Sequence, residues 1–104
     1  NVCSADIANG FGELHNPETH LIPILVNKAI NNRVIKIYGN RYNTPDKTCI
    51  RDYIHINDLS SAIIKSIKTK NKKKFNIINL GSGRGYSILQ LIKNLEIILK
   101  KKIK

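Results

Sequence analysis

The residues with the clearest chemical potential lie between Gly39 and Leu59, where the sequence reads GNRYNTPDKTCIRDYIHINDL. Arg51 is one of four arginines in a chain that otherwise uses Lys for positive charge. A planar guanidinium donates two parallel hydrogen bonds to phosphate oxygens, which a single ammonium does not match. The sequence therefore predicts that Arg51 binds a phosphate group. The alternative is a structural salt bridge from Arg51 to Asp52 or to another acid.

A second candidate is the glycine-rich turn that contains Gly81, Gly83 and Gly85. It follows an apolar stretch and precedes a helical pattern, which is the position of a dinucleotide phosphate loop. Its spacing is G-x-G-x-G, however, and no second strand with a ribose-binding acid follows it. The pattern favours a structural strand-to-helix turn close to a ligand.

The histidines and cysteines form no recognisable catalytic or metal-binding set. His15, His20 and His55 lack metal-ligand spacing, and no Ser or Cys is combined with a His and an acid in a known order. His55, in an apolar segment, is expected to be a hydrogen-bonded core histidine. His20, at the start of a helix, is open to either a structural or a ligand-binding role. The two cysteines show no paired spacing, which predicts free thiols in a reducing cytoplasm.

The charge is strongly basic, with 18 Lys and Arg against 7 Asp and Glu and a net charge of +11. The lysines gather at Lys68–Lys74 and Lys100–Lys104, where few aromatic side chains are available to stack on bases. This pattern favours solvated lysines, with a basic nucleic-acid-binding module as the alternative. No apolar stretch approaches the roughly 20 residues that span a bilayer, and no signal peptide is visible. We therefore expect a cytoplasmic protein that has no membrane partner.

These residues need helices and strands to position them, and the hydrophobic pattern alternates between the two. Apolar residues recur at helical spacing from His20 to Ile30, and Ser87 with Gln90 forms a capping box for a last helix. The other predicted elements are the strand Val34–Tyr38, the extended segment Cys49–Ile56, the helix Leu59–Ile67 capped by Asp58, and a strand Phe75–Leu80 buried on both faces. The order is α/β.

The chain has 104 residues, contains no Met and begins at Asn1, which suggests a piece of a longer protein. The strands are too few and too short for a self-sufficient parallel sheet, so a small independent α/β domain is the less favoured alternative. We expect residues 1–104 to form one portion of a larger domain without an internal boundary.

Four blocks of the sequence resemble one family. The segment quoted above is similar to the G-[ND]-x-Y-x-T-P-D-G-T-x-[IV]-R-D-Y-I-H-V-x-D-L signature of UDP-glucose 4-epimerases, which are extended short-chain dehydrogenases/reductases. Three further blocks agree in the same order: Asn1-Val2 with Ala5-Asp6, PETHLIP at residues 17–23, and NLGSGRGYS at residues 79–87. The resemblance extends from one end of the chain to the other.

The resemblance implies a fold and a site. The chain would be the C-terminal, substrate-binding part of a Rossmann-type enzyme whose N-terminal half binds NAD, and its ligand would be a UDP-hexose. The implied substrate contacts are Asn1 and Arg51 with the diphosphate, His20 and Leu21 with the nucleotide-sugar, Lys36 and Tyr38 with the uracil, and Ile88 near the uridine. The full-length enzyme is expected to be a homodimer.

The chain departs from the family pattern at several positions. Arg41 and Lys47 replace an acid and a glycine, and Cys3-Ser4 replaces a small residue followed by Gly. The catalytic Y-x-x-x-K and the NAD-binding glycines of the family would precede Asn1, so this chain is expected to contain no catalytic residue and to be inactive alone. Three alternatives stay open: another UDP-sugar 4-epimerase (UDP-arabinose/xylose or UDP-GlcNAc), the basic nucleic-acid-binding module, or the product of a truncated gene.

Overall fold

A computed structural model describes residues 2–69 and 75–104, which divide into two units. Each unit combines two separate stretches of the sequence. The first unit comprises Asn1–Glu13 and Asp52–Arg84, and the second comprises Leu14–Arg51 and Gly85–Lys104. Helices and short strands occur in both, so the predicted α/β class is confirmed.

The first unit is built on two short parallel strands and a helix. Strand β1 (Val2–Cys3) pairs with strand β3 (Ile54–His55), and helix α2 (Ile56–Lys68) follows β3 directly and contacts both strands. A short 3-10 turn covers Ile7–Asn9. Helix α2 begins because Nδ1 of His55 accepts a hydrogen bond of 3.1 Å from the backbone N–H of Asn57, which satisfies one free donor of the first turn.

The second unit packs two helices together and carries the other strand pair. Helix α1 (Leu21–Ile30) contacts helix α3 (Ile88–Leu99), and strand β2 (Ile50–Asp52) pairs with strand β4 (Gly85–Ser87). The best-buried apolar side chains of the described residues, Leu25 and Ala29, lie one turn apart on α1. This spacing places them on one helix face, so the packed face of α1 is the one that the sequence predicts.

The helix ends of the second unit agree with the sequence. Helix α1 follows His20 and ends at Asn31, whose backbone N–H bonds to the carbonyl of Asn27. Helix α3 begins with the predicted capping box: Ser87 Oγ accepts from the N–H of Gln90, and the Gln90 side chain accepts from the N–H of Ser87. Both predictions rest on local spacing, and both are confirmed.

The predicted strands Val34–Tyr38 and Phe75–Leu80 are wrong for this structure, since neither segment is a strand. The second was expected to be buried on both faces, yet Phe75 is 78% exposed and Ile77 is 82% exposed. A strand requires a neighbouring backbone to pair with, and in the first segment one such bond is recorded, from Ile35 N–H to Lys104 O at 2.8 Å. An apolar pattern alone supplies no such partner.

Three further predictions in the middle of the chain are wrong in detail. The extended segment Cys49–Ile56 is two short strands, and its last residue already starts α2. The cap of α2 is His55 and not Asp58, which lies in the first turn, where its negative charge still complements the helix dipole. His55 itself is exposed, so it is not a core residue. Within the described residues, no helix is long and apolar enough to cross a membrane.

Candidate functional site

The predicted site residues that the structure describes all belong to the second unit. They are His20, Leu21, Lys36, Tyr38, Arg51 and Ile88. Asn1 lies outside the described residues, so its predicted contact with a diphosphate is left as a prediction. Two of the others start helices: Leu21 is the first residue of α1 and Ile88 is the first residue of α3, and these helices pack together.

Arg51 lies on β2 with an exposed side chain. Within the described part of the chain, the recorded hydrogen bond of its guanidinium is a long one of 3.4 Å, from Nη1 to the carbonyl of Ile50. The carboxylate of Asp52 binds Ser82 instead, with its Oδ1 2.8 Å from Ser82 Oγ. The structure therefore gives no support to a salt bridge between Arg51 and Asp52. Arg51 keeps most of its donors for another acceptor.

The backbone under Arg51 is held in place by a close approach of the paired strands. A Cβ atom built on Gly85 of β4 would lie 2.4 Å from Cγ2 of Ile50 and 3.8 Å from the carbonyl oxygen of Arg51. A larger residue at position 85 would therefore require the side chain of Ile50 to move. This contact brings Ile50, the residue before Arg51, close to Gly85, which lies three residues before Ile88 at the start of the strand that leads into α3.

The loop before Arg51 is anchored by Asp46. Its Oδ1 accepts hydrogen bonds from the backbone N–H of Thr48 at 3.0 Å and from Thr48 Oγ1 at 2.8 Å. Its other oxygen accepts a short hydrogen bond from Ser87 Oγ. Thr48 and Ser87 are 3% and 2% exposed, and Thr44 Oγ1 donates to the carbonyl of Thr48 at 2.7 Å. The loop is thus fastened to the first turn of α3 through buried hydroxyls.

These hydrogen bonds also act on the acidity of Asp46. The bond from Ser87, followed by the bond from the backbone N–H of Thr48, lowers the pKa of Asp46 from its ordinary value of 3.8. Donors that point at a carboxylate stabilise its charged form more than its protonated form. The anchor is therefore made by an ionised carboxylate at neutral pH.

His20 is placed where the sequence predicts, but one side of its ring is already engaged. Its backbone N–H donates to Oε1 of Glu18 at 2.7 Å, and its Nδ1 lies 3.0 Å from the same oxygen. These bonds lower the pKa of Glu18, with the backbone bond as the largest cause. The ring of His15 contacts that of His20 edge-on, with the centroids 4.6 Å apart. The His20 ring is thus oriented by its own loop.

Lys36 and Tyr38 lie in the segment that forms no strand, and both side chains are exposed. Tyr38 is 82% exposed. The four residues that follow, Gly39–Tyr42, line a cavity of about 310 Å³. It is an open depression of the surface and not an enclosed pocket. The cavity therefore begins directly after the two residues that the resemblance assigns to the uracil.

The glycine-rich turn of the first unit does not have the properties of a pyrophosphate loop. Asp52 Oδ1 accepts from the backbone N–H of Ser82 at 3.0 Å and from Ser82 Oγ at 2.8 Å, and these bonds lower the pKa of Asp52. A Cβ on Gly81 would lie 2.5 Å from Asp52 Oδ2. The carboxylate of Asp52 thus already takes the backbone N–H of Ser82, a donor that a phosphate loop would offer to its ligand. The interpretation of the turn as structural agrees with these contacts.

The sequence pointed to Arg51 but not to Asp46, Thr48 and Ser87 as a connected set. Ser87 was predicted as a cap, and its second bond, to Asp46, joins residues 41 positions apart. The local part of the signal was present, because Asp followed by Thr two residues later is typical of an Asx-type turn. The long-range part is visible only in the structure.

Comparisons with known proteins agree with this picture. The model of the NAD dependent epimerase/dehydratase family matches residues 1–81. The UDP-glucose 4-epimerase of Rhizobium leguminosarum bv. trifolii is 38% identical over 98 residues, which are 92% of this chain and 30% of that protein.

Solved structures give the same result. The UDP-glucose 4-epimerase from Brucella ovis, in complex with NAD, is 42% identical with a TM-score of 0.79 over 93% of this chain and 30% of that one. The enzyme from Stenotrophomonas maltophila, with bound NAD and formylated UDP-arabinopyranose, is 31% identical with a TM-score of 0.85 over 99% of this chain and 32% of that one. The chain thus spans about a third of the length of its relatives, and the predicted resemblance is confirmed.

Proposed function

We propose, from the premise that the chain belongs to the NAD dependent epimerase/dehydratase family, that it forms the UDP-sugar-binding part of a UDP-glucose 4-epimerase. Its relatives carry that name, and one solved neighbour holds a UDP-sugar. The complete enzyme would interconvert UDP-glucose and UDP-galactose through a 4-keto intermediate. This chain would contribute the binding of the nucleotide diphosphate.

The observation that carries the proposal is the state of Arg51. Its guanidinium is exposed on strand β2, whose backbone pairs with β4, and its recorded bond, to the Ile50 carbonyl, is long. An arginine held in this way is prepared to bind a dianionic diphosphate, because little reordering of the backbone is needed when the ligand arrives. Hydrogen bonds to a charged group contribute about 1.5–3 kcal/mol each.

The other residues complete the proposed site. Lys36 and Tyr38 would hold and flank the uracil beside the cavity of Gly39–Tyr42. Leu21 and Ile88, each at the first position of a helix, would pack against the nucleoside. The assigned roles of His20 with the nucleotide-sugar and of Asn1 with the diphosphate follow from the family resemblance.

The reaction itself needs groups that this sequence does not contain. The residues four positions after its tyrosines are Tyr42, Asp46, Asn57 and Gln90, so it holds no Y-x-x-x-K. NAD, when bound, supplies oxidation of the sugar at C4 and its later reduction. We propose that NAD and the tyrosine base belong to a separate part of a homodimeric, cytoplasmic enzyme. The 104 residues alone would then bind substrate but not turn it over.

Calorimetric titration with UDP tests the proposal. The protein expressed from its complete reading frame should bind UDP, and Arg51→Ala should weaken the binding about 10-fold to 150-fold, which corresponds to the loss of about 1.5–3 kcal/mol. Arg51→Lys should lie between the two, because an ammonium keeps the charge but loses the paired geometry.

Arg33→Ala is the matched control for this experiment. Arg33 is another exposed arginine of the second unit, and it lines a different cavity together with Lys28, Asn32 and Lys102–Lys104. Its removal should leave the UDP affinity within about twofold, because the proposal gives Arg33 no contact with UDP. Equal affinities for wild type and Arg51→Ala, or equal losses for the two arginine variants, would contradict the proposal.

The alternative function is capture of nucleic acid by the lysines, which the net charge of +11 brings into consideration. A salt titration distinguishes the two functions. Nucleic-acid affinity falls steeply between about 50 and 200 mM salt because counterions are released. Binding of UDP in a pocket should fall much less and should depend on Arg51. A steep loss that is insensitive to Arg51→Ala would favour the nucleic-acid module.

A further inference from the structure

Asp46 is the best-anchored carboxylate of the second unit, and the proposed reaction assigns it no role. It accepts hydrogen bonds from three groups, two of them hydroxyls of almost fully buried residues, Thr48 and Ser87. We propose that Asp46 is a positioning residue for UDP binding, which it supports by fixing Arg51 relative to the start of α3. This inference rests on the proposed function.

The first link runs from Asp46 to Ile88. Ser87 Oγ donates to Asp46 and at the same time accepts from the backbone N–H of Gln90 at 3.2 Å. Since Ser87 is the cap of α3 and Ile88 is its first residue, the same hydroxyl sets both the anchor and the beginning of the helix. A change at Asp46 therefore reaches Ile88 through one side chain.

The second link runs from Asp46 to Arg51. Asp46 holds the backbone N–H of Thr48, and Thr44 Oγ1 holds the carbonyl of Thr48, so both peptide groups of this buried residue are fixed. Strand β2 begins two residues later, at Ile50, and carries Arg51. The distance along the chain from the anchor to Arg51 is therefore short, and the segment between them has little freedom.

The two links together explain why affinity, and not only stability, should depend on Asp46. A ligand that touches Arg51 and Ile88 needs both at one spacing, and Asp46 fixes that spacing before binding. Without the carboxylate, the loop and the start of α3 would become ordered only when the ligand binds. The free-energy cost of this ordering would lower the affinity. Asp46 itself needs no contact with UDP for this effect.

The test compares UDP affinities of the protein expressed from its complete reading frame. Asp46→Ala should raise Kd about tenfold, which corresponds to about 1.4 kcal/mol. Asp46→Asn should raise it less, because the amide oxygen can still accept from Thr48 and the amide N–H can donate to Ser87 Oγ. This partial rescue separates a role in hydrogen bonding from a general loss of charge.

Glu96→Ala is the matched control. Glu96 is another anchored carboxylate of the second unit, which accepts from the N–H of Ile103 at 3.0 Å and from Nζ of Lys102 at 3.4 Å. It lies near the other end of α3, so its loss should change the UDP affinity by less than about twofold. A rise in Kd as large as that of Asp46→Ala would show that any lost anchor has the same effect, and would overturn the inference.

A double-mutant cycle with Ser87 supplies the sharpest readout. If Asp46 acts in part through Ser87, the combined variant Asp46→Ala/Ser87→Ala should raise Kd by less than the product of the two single increases, since Ser87 also caps α3 on its own. Increases that multiply would overturn the inference, because they would mean independent roles. Thermal unfolding identifies variants that fail to fold. If Asp46→Ala is one of them, the UDP affinities of Asp46→Asn and Glu96→Gln are compared instead, and an equal rise in Kd for both would overturn the inference.

The outcomes also separate this inference from the proposed function. A folded wild-type protein that does not bind UDP contradicts the function, and the positioning role falls with it. If wild type binds UDP, Arg51→Ala weakens it and folded Asp46→Ala does not, then only the role of Asp46 is refuted.

Discussion

Each of the two units contains an aspartate that accepts a hydrogen bond from a serine, but the serine is buried in the second unit and exposed in the first. In the second unit Asp46 binds Ser87, which is 2% exposed, and Thr48, which is 3% exposed. In the first unit Asp52 binds Ser82, which is exposed. Both carboxylates accept from a serine of the glycine-rich block, and hydrogen bonds lower the pKa of both. Because Thr48 and Ser87 are buried and Ser82 is exposed, water has less access to the hydrogen bonds of Asp46 than to those of Asp52.

The packing of the two units differs in the same direction. The second unit buries Leu25 and Ala29 on the packed face of helix α1. Both units leave large apolar side chains exposed, for example Phe75 at 78% in the first unit and Leu14 at 96% in the second. The comparison teaches that the buried residues of the described part of the chain, Leu25, Ala29, Thr48 and Ser87, all lie in the unit with the proposed UDP site.

The largest expected difference concerns two glycines. A Cβ at Gly85 would meet Cγ2 of Ile50 at 2.4 Å, so Gly85→Ala should destabilise the second unit by about 1–3 kcal/mol through overpacking. Gly81→Ala should force the Asp52 carboxylate to rotate and break its bonds to Ser82. Urea unfolding measures both, with Gly12→Ala as the control, since its Cβ would meet Ala5 at an ordinary 3.5 Å. A harmless Gly85→Ala would show that the side chain of Ile50 can move aside.

The serines give the next largest effect. Ser87→Ala removes a helix cap as well as a donor to Asp46, so it should cost about 0.5–2 kcal/mol. Ser82→Ala removes an exposed contact and should stay within about 0.5 kcal/mol. Thermal denaturation of the two variants ranks them directly. Equal losses would contradict the claim that burial makes the difference.

Acid should weaken both anchors. The folded-state pKa of Asp46 and of Asp52 lies below the ordinary value of 3.8, so each contributes stability that is complete well above that value. This stability is lost as the pH falls through the lower, folded pKa. Urea midpoints measured from pH 6 to pH 2.5 should decline below about pH 4. The decline should be shallower in Asp46→Asn, and an unchanged slope would mean that Asp46 is not ionised in its anchor.

The smallest effects concern two residues that replace family glycines. Lys47 and Ser4 have φ angles of 60° and 99°, in the left-handed region that glycine tolerates best. Lys47→Gly and Ser4→Gly should each relieve strain by at most about 1 kcal/mol, partly offset by the greater freedom of glycine when unfolded. Arg41→Gly, in the same loop as Lys47 but without a positive φ, should destabilise instead. Thermal denaturation measures these stability changes. A lower melting temperature of Lys47→Gly would contradict backbone strain at position 47.

Much of the second unit could be predicted from sequence because its signals are local. The apolar spacing after His20 and the pairing of Ser87 with Gln90 both lie within one or two helical turns. The strands were predicted less well, since Val34–Tyr38 and Phe75–Leu80 have the right residue types but lack a paired backbone. His55 was predicted to be a core residue, but it is the cap of α2: its imidazole nitrogen accepts the hydrogen bond for which an acid, Ser, Thr or Asn is more usual.

In the candidate site too, the local features could be predicted from the sequence and the long-range contacts could not. Arg51 stood out by its residue type and by the motif around it, and the departures at Ser4 and Lys47 were visible as missing glycines. The bond from Ser87 to Asp46 joins distant parts of the sequence, so neither periodicity nor spacing could indicate it. Long-range hydrogen bonds of this kind depend on the folded backbone, which local patterns do not encode.

The most direct measurement is a crystal structure of the protein, expressed from its complete reading frame, bound to UDP. We expect the Arg51 guanidinium within about 2.7–2.9 Å of diphosphate oxygens, the distance of charge-assisted hydrogen bonds. The uracil should lie beside Tyr38, and Asp46 should still bind Ser87. A diphosphate bound away from Arg51, with the guanidinium left in solvent, would contradict the proposed UDP site.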